Sequence, residues 1–146
     1  MKKLLLSAVA AILFSFGTIV YAATLSVQSI SYGGTQVTYA NADTGSGDVV
    51  SNIGQDVLVL LTNPGASSAD VTITAQDTSF VVPGYGPVEQ TDKVISLAAG
   101  ETWMGGPFPA SVWNNSSNQL ELTYAGTGAT DVDVAILRSN SLKPQF

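Results

Sequence analysis

Carboxylates are the only side chains in this sequence suited to acid–base or metal chemistry. The 146 residues include no Cys and no His. That removes thiolate nucleophiles, a Ser-His-Asp triad, zinc clusters, haem ligation by His and any disulfide framework. Asp131 and Asp133 stand two apart; in a strand that spacing puts both carboxylates on one face, where they could chelate a hard cation or act as an acid/base pair. With Val132 and Val134 opposite, the same pattern describes a solvated strand face. Asp43 and Asp48 bracket Thr44-Gly45-Ser46-Gly47 and could offer oxygens to calcium, although the spacing is not that of an EF-hand loop. Glu101 with Glu121 would be the pair for glycoside hydrolysis, which needs a cleft and a defined carboxylate separation. None of these is a catalytic signature. The chain is expected to be no enzyme, with no cofactor and no bound metal.

Aromatic residues carry the binding signal. Tyr85, Trp103, Phe108 and Trp113 fall in one Pro- and Gly-rich third of the chain, where the loops at one end of a β-sandwich gather. An exposed ring there would stack on a sugar or a protein partner. Trp103 reads as a lid on the core beneath Gly105-Gly106-Pro107-Phe108-Pro109. Trp113 adjoins the polar run from Asn114 to Asn118 and suits either role. The expected contact surface is Tyr85, Phe108, Trp113, Asn114 and Asn115, on the loops Pro83 to Pro87 and Gly105 to Asn118. The overlapping sequons at Asn114 and Asn115 matter only in a glycosylating host.

The elements that must hold these residues have a period of two. Leu25 and Val27, then Ile30 and Tyr32, alternate with polar residues, with a phase shift or bulge near Gln28-Ser29. Gly33-Gly34 predicts a hairpin turn into Thr35 to Ala40, where Val37 and Tyr39 share a face. Asp56 to Thr62 (DVLVLLT) is apolar on both faces and belongs in the centre of a sheet. Asn63 to Asp70 (NPGASSAD) predicts a hairpin into the alternating strand Val71, Ile73, Ala75. Phe80 to Val82 meets Pro83-Gly84-Tyr85-Gly86-Pro87, which no central strand tolerates. Lys93 to Leu97 and Glu101 to Met104 flank the turn Ala98-Ala99-Gly100, and two alternating strands, Gln119 to Tyr124 and Asp131 to Leu137, close the chain. Only Ala110 to Trp113 suggests a helical turn. Some seven to nine short strands at this spacing predict an all-β antiparallel sandwich, immunoglobulin-like or jelly-roll in wiring.

The first 22 residues have the layout of a secretory signal peptide: Lys2 and Lys3, an apolar run from Leu4 to Val20, and small residues at Ala22 and Ala23. Cleavage after Ala22 would leave a sandwich domain over 23–138 and a polar tail over 139–146. A retained membrane anchor is the competing reading of the same run. Without the leader, Lys93, Arg138 and Lys143 face eleven carboxylates, a net charge of −8. Such a surface repels nucleic acid and anionic membranes, so neither is an expected partner, and no span is expected after cleavage. Phe146 ends the chain as outer-membrane strands often end, but Pro144 and short strands mixed on both faces argue against a barrel.

Three segments together resemble a known family: VLVLLTNPGASSADVTIT, VISLAAGETWMGGPFPASVWN and LELTYAGTGATDVDVAILR, within Asp56 to Arg138. Their order resembles the small β-sandwich structural proteins of tailed bacteriophages, of the head-decoration or head-fibre type. The first segment is shared with immunoglobulin-like adhesion modules. The resemblance implies a non-enzymatic domain displayed on a particle and acting through protein–protein contacts or self-assembly. The leader departs from that family and points instead to a secreted, periplasmic or cell-surface assembly or adhesion component. A secreted carbohydrate-binding module, reading a surface glycan with loop aromatics, is the alternative.

Overall fold

The computed structural model describes residues 21–31, 33–54, 57–77 and 79–139. The expected leader lies outside them except for its last two residues, and so does the tail after Ser139. The chain forms twelve strands, the longer of which turn one row of side chains inward: β1 (Ala23–Leu25), β2 (Val27–Ile30), β3 (Ala40–Asn41), β4 (Asp48–Ser51), β5 (Val57–Thr62), β6 (Ala69–Ile73), β7 (Ser79–Val82), β8 (Gly86–Glu89), β9 (Lys93–Leu97), β10 (Thr102–Gly105), β11 (Gln119–Ala125) and β12 (Asp133–Ser139). One helical turn, α1 (Ala110–Trp113), falls where the sequence suggests it.

The strands form two facing five-stranded sheets. The first runs β1-β4-β11-β6-β9; the second runs β10-β5-β12-β2, with β3 end to end with β2 along β12; β7 and β8 form a separate hairpin. Val50, Val71, Ile73, Leu120 and Leu122 from the first sheet meet Val57, Val59, Leu61, Val134 and Ile136 from the second in one core, as a β-sandwich requires. The apolar run of β5 lies in the middle of its sheet, as expected.

Five expectations are corrected. The sheets are mixed rather than purely antiparallel: β1 pairs β4 and β2 pairs β12 in parallel. A single extended segment crosses from one sheet to the other at Ser26, so the break in alternation lies there and not at Gln28-Ser29. The residues NPGASSAD form no hairpin, because β5 and β6 belong to different sheets. They arch across the end of the sandwich, held by the buried Asn63 amide, which donates to the carbonyls of Ser67 (2.8 Å), Leu97 (3.2 Å) and Ala98 (3.2 Å). The turn at Gly33-Gly34 exists, with Gly34 N–H donating to the Ser31 carbonyl at 3.0 Å, but its returning arm makes no ladder with β2. The Gln28 side chain takes that place, donating to the Thr38 carbonyl and accepting from its N–H (2.6 and 2.8 Å). Finally, twelve strands replace seven to nine, because β1 to β3 and β7 to β8 are short pieces.

The wiring favours the jelly-roll habit. In chain order β4, β5, β6, β9, β10, β11 and β12 lie in the first, second, first, first, second, first and second sheets. An immunoglobulin domain would end with two neighbouring strands of one sheet, whereas β11 and β12 lie in opposite sheets, as double Greek-key crossings place them.

Candidate functional site

The loops expected to form the contact surface gather at one end of the sandwich. There the chain leaving β6 meets α1: the N–H groups of Gln76 and Asp77 both donate to the Val112 carbonyl (2.8 and 3.0 Å). The rings, however, point inward. Phe108 and Trp113 are 6% and 9% exposed and pack edge to face, with centroids 5.5 Å apart at 79°. Such a pair closes the core and offers no face to a ligand, which corrects their placement on an accessible surface. Asn114 is part of the same plug: the Asn52 amide donates to its Oδ1 (2.7 Å) and to the Phe108 carbonyl (2.8 Å). Asn115 donates to Glu121 Oε1 (2.7 Å) while its own Oδ1 accepts from the N–H groups of Ser117 and Gln119. Trp103 is half-buried against the core and lies so close over Gly105 that a Cβ there would come within 2.2 Å of its ring.

Tyr85 alone of the five is open, 88% exposed at the tip of the β7–β8 hairpin. Pro83 and Gly84 occupy the centre of its turn, closed by Tyr85 N–H donating to the Val82 carbonyl at 3.0 Å. Gly84, at φ +86°, supplies the left-handed residue that a type II turn needs.

Of the carboxylate pairs only Glu101 and Glu121 part; Asp131 and Asp133 line one shallow pocket with Asn41 and Gly65, and Asp43 stays beside Asp48. Asp131 ends a 3-10 turn, Ala129–Asp131, and sits against Gly65, while Asp133 opens β12 and accepts from the Asn41 amide at 3.1 Å. Glu101 caps the β9–β10 turn by accepting the Ala98 N–H (2.8 Å), whereas Glu121 lies on the outer face of the other sheet. Asp48 is the buried carboxylate, only 1% exposed, on the inner face of β4. Its Oδ2 accepts the Tyr124 hydroxyl at 2.6 Å and the Asp43 N–H at 3.2 Å. Burial pushes its carboxyl above the ordinary value, and burial, then the Asp48 hydrogen bond, pushes the Tyr124 phenol upward as well. Nothing in the spacing of Tyr124 singles it out; its partner is 76 residues away.

The most distinctive surface lies elsewhere, on the outer face of the second sheet. Registers of Met104 with Leu60, Leu60 with Ala135, and Leu58 with Leu137 put these side chains in one outward layer. Met104 is 63% exposed and Leu58 and Leu60 are half-buried, whereas Ala135 and Leu137 in the same layer are buried and Gln28 stands beside Leu137; exposed Ile30 lies at the β2 edge. The corresponding face of the first sheet carries Asp70, Thr72, Ser96, Glu121 and Thr123, with Val49 half-buried and Val94 57% exposed among them. The outer layer around β5 and β10 is thus the more apolar of the two outer faces. The signal was present in VLVLLT and in Ala135 to Leu137, where alternation stops, but it first reads as a strand in the middle of a sheet.

Two unpaired edges adjoin this face: β9 ends the first sheet, β10 ends the second, and a short turn joins them. From Thr102 to Gly105 the β10 edge has no charge and no proline, the features that normally guard an open edge. A cleft of about 290 Å³ opens at the opposite edge where the chain crosses from β1 to β2, lined by Leu25, Ser26, Tyr39, Val134 and Ile136. Among the described residues no helix is long and apolar enough to cross a membrane, and no three metal-ligating side chains cluster. No family model, no curated protein and no solved structure matches the chain.

Proposed function

We propose that this chain is a non-enzymatic structural or adhesive β-sandwich that works by protein–protein contact, with a second copy of itself as the partner. The contact surface is the outer face of the second sheet, Leu58, Leu60 and Met104 at its centre, continued by the open β10 edge. The apolar layer of Leu58, Leu60 and Met104 beside an open edge is the observation that carries this reading, since the outer face of the first sheet is mostly polar, with Val94 its one strongly exposed large apolar side chain among the described residues. Edge pairing by β10 would supply backbone hydrogen bonds and register, and the apolar layer would supply the burial. Display at a cell surface, in a secreted assembly or on a virion, as the leader and the phage resemblance separately suggest, suits such a domain.

The carbohydrate-binding alternative is weakened by the burial of Phe108 and Trp113, which leaves Tyr85 as the one exposed ring of the expected contact surface.

Sedimentation or light scattering of the exported chain over about 1 to 500 μM tests the proposal, a range that brackets weak to standard interfaces. The native chain is expected to associate, more strongly in added salt because its acidic surface is then screened. The double variant Met104→Lys, Leu60→Thr is expected to stay monomeric while keeping a cooperative unfolding transition. A native chain that remains monomeric across the range refutes self-association.

A further inference from the structure

We propose that the loop Asp43 to Asp48 is a calcium site, with Asp48 Oδ1, the Ser46 hydroxyl and the Asp43 carboxylate as its protein oxygens and water completing the shell. The starting observation is a buried carboxylate that is only half satisfied. Asp48 is 1% exposed, yet its Oδ1 has no hydrogen-bond partner, and neither has the buried Ser46 Oγ two residues away. Buried polar atoms are almost always paired, so two orphans on one short loop mark a missing occupant.

Charge points to a cation. Asp43 raises the electrostatic cost of ionising Asp48, and its own Oδ1 already accepts the N–H groups of Gly45 and Ser46 (2.9 and 3.1 Å). Among the described residues the cationic side chains are Lys93, three strands from Asp48 along the row Asp48–Leu122–Ile73–Lys93, and Arg138, which registers with Val57; neither acts on Asp48. No basic side chain therefore balances the pair. Hard oxygens, two of them anionic, suit calcium, which accepts irregular geometry and several waters. Gly47 holds the loop closed: at φ +76° a Cβ would lie 2.5 Å from the Leu122 carbonyl oxygen. The cation would thus link the chain before β4 to the β4–β11 pair at the opposite end from the loop aromatics. With two carboxylates rather than the three or four of a tight site, affinity in the millimolar range of extracellular modules is expected.

The test is thermal unfolding of the exported chain after chelation, with calcium added back at constant ionic strength and magnesium as the control. At about tenfold excess over the dissociation constant the midpoint is expected to rise by about 4 °C or more. Terbium luminescence excited through the aromatic residues should appear on titration and fall when calcium competes. Asp48→Asn keeps an acceptor for Tyr124 and removes the charge. It should lose both signals while melting no lower than the chelated native chain. Asp43→Asn, which retains the loop's side-chain cap, should also lose them and serves if the first variant folds poorly. A midpoint unmoved by about 10 mM calcium, or an Asp48→Asn chain that responds as the native one does, overturns the site.

Discussion

Replacing Asn63 by Ala tests how the sandwich is held shut. Asn63 is fully buried at the end of β5. Its amide hydrogens are shared among the carbonyls of Ser67, Leu97 and Ala98, and its Oδ1 accepts the Gly65 N–H at 3.1 Å. One side chain therefore ties the β5–β6 arch to the β9–β10 turn. Truncation removes two donors and one acceptor, each worth about 1 kcal/mol net, and strands buried backbone groups whose desolvation adds to the loss. Water can reach Ser67 and Ala98, which are exposed, but Leu97 is buried. The expected cost is about 3 kcal/mol. Urea unfolding followed by the fluorescence of Trp103 and Trp113 measures it; with a slope of about 2 kcal/mol per M, the midpoint should fall by roughly 1.5 M without a change in slope. Asn63→Asp sharpens the test, because a carboxylate would face three carbonyl oxygens. At neutral pH it should cost at least as much as Ala, and acid should recover part of the loss by restoring one donor. A cost below about 1 kcal/mol for both variants would refute the clamp.

Truncating the aromatic plug should be far more damaging than truncating the exposed hairpin. Trp113→Ala is expected to cost about 3 to 5 kcal/mol by leaving a cavity beside Phe108, whereas Tyr85→Ala should stay within about 0.5 kcal/mol in the same urea assay. The buried phenol predicts alkaline instability: unfolded Tyr124 loses its proton near 10.0 while the folded residue keeps it. Stability should therefore fall as pH rises past that value, and Tyr124→Phe should remove that share of the fall, read as the difference between the two unfolding curves. Asp48 acts in the same direction at lower pH. Its raised carboxyl makes the folded chain bind more protons than the unfolded one above 3.8, so its share of stability is full in acid and is lost as pH climbs through the raised value. In chelated buffer Asp48→Asn should flatten that decline.

Strand content was legible because burial on one face of a pleated strand imposes a period of two, and Val71, Ile73, Leu120 and Leu122 obey it without help from distant residues. The turn signals were legible for the same local reason: Pro83-Gly84 and the short Ala110 turn depend on a few neighbouring dihedrals. The absence of Cys and His bounded the chemistry before any fold was known. What sequence reading could not place were partners far along the chain. NPGASSAD has the length and composition of a hairpin and of an arch alike, and only the fit of Asn63 against Leu97 and Ala98 selects the arch.

The candidate sites divide in the same way. A Trp beside a polar run is compatible with a binding face or a core plug, and the choice was made by Asn52, which reaches 62 positions to Asn114 and closes α1 over the core. Apolar residues on both faces of β5 suit a central strand, and only the registers show that its outer row continues across Met104 on β10 and Ala135 and Leu137 on β12. The Asp43 to Asp48 loop was visible as a pair of carboxylates around small residues, but not as a place where a buried oxygen is left unpaired. The sequence by itself therefore determined strands, turns, charge and the lack of thiol and imidazole chemistry, all set by each residue and its near neighbours. Only tertiary structure decided sheet membership, which rings are buried and which carboxylate is enclosed, because those depend on which distant backbone and side-chain groups come together to replace water.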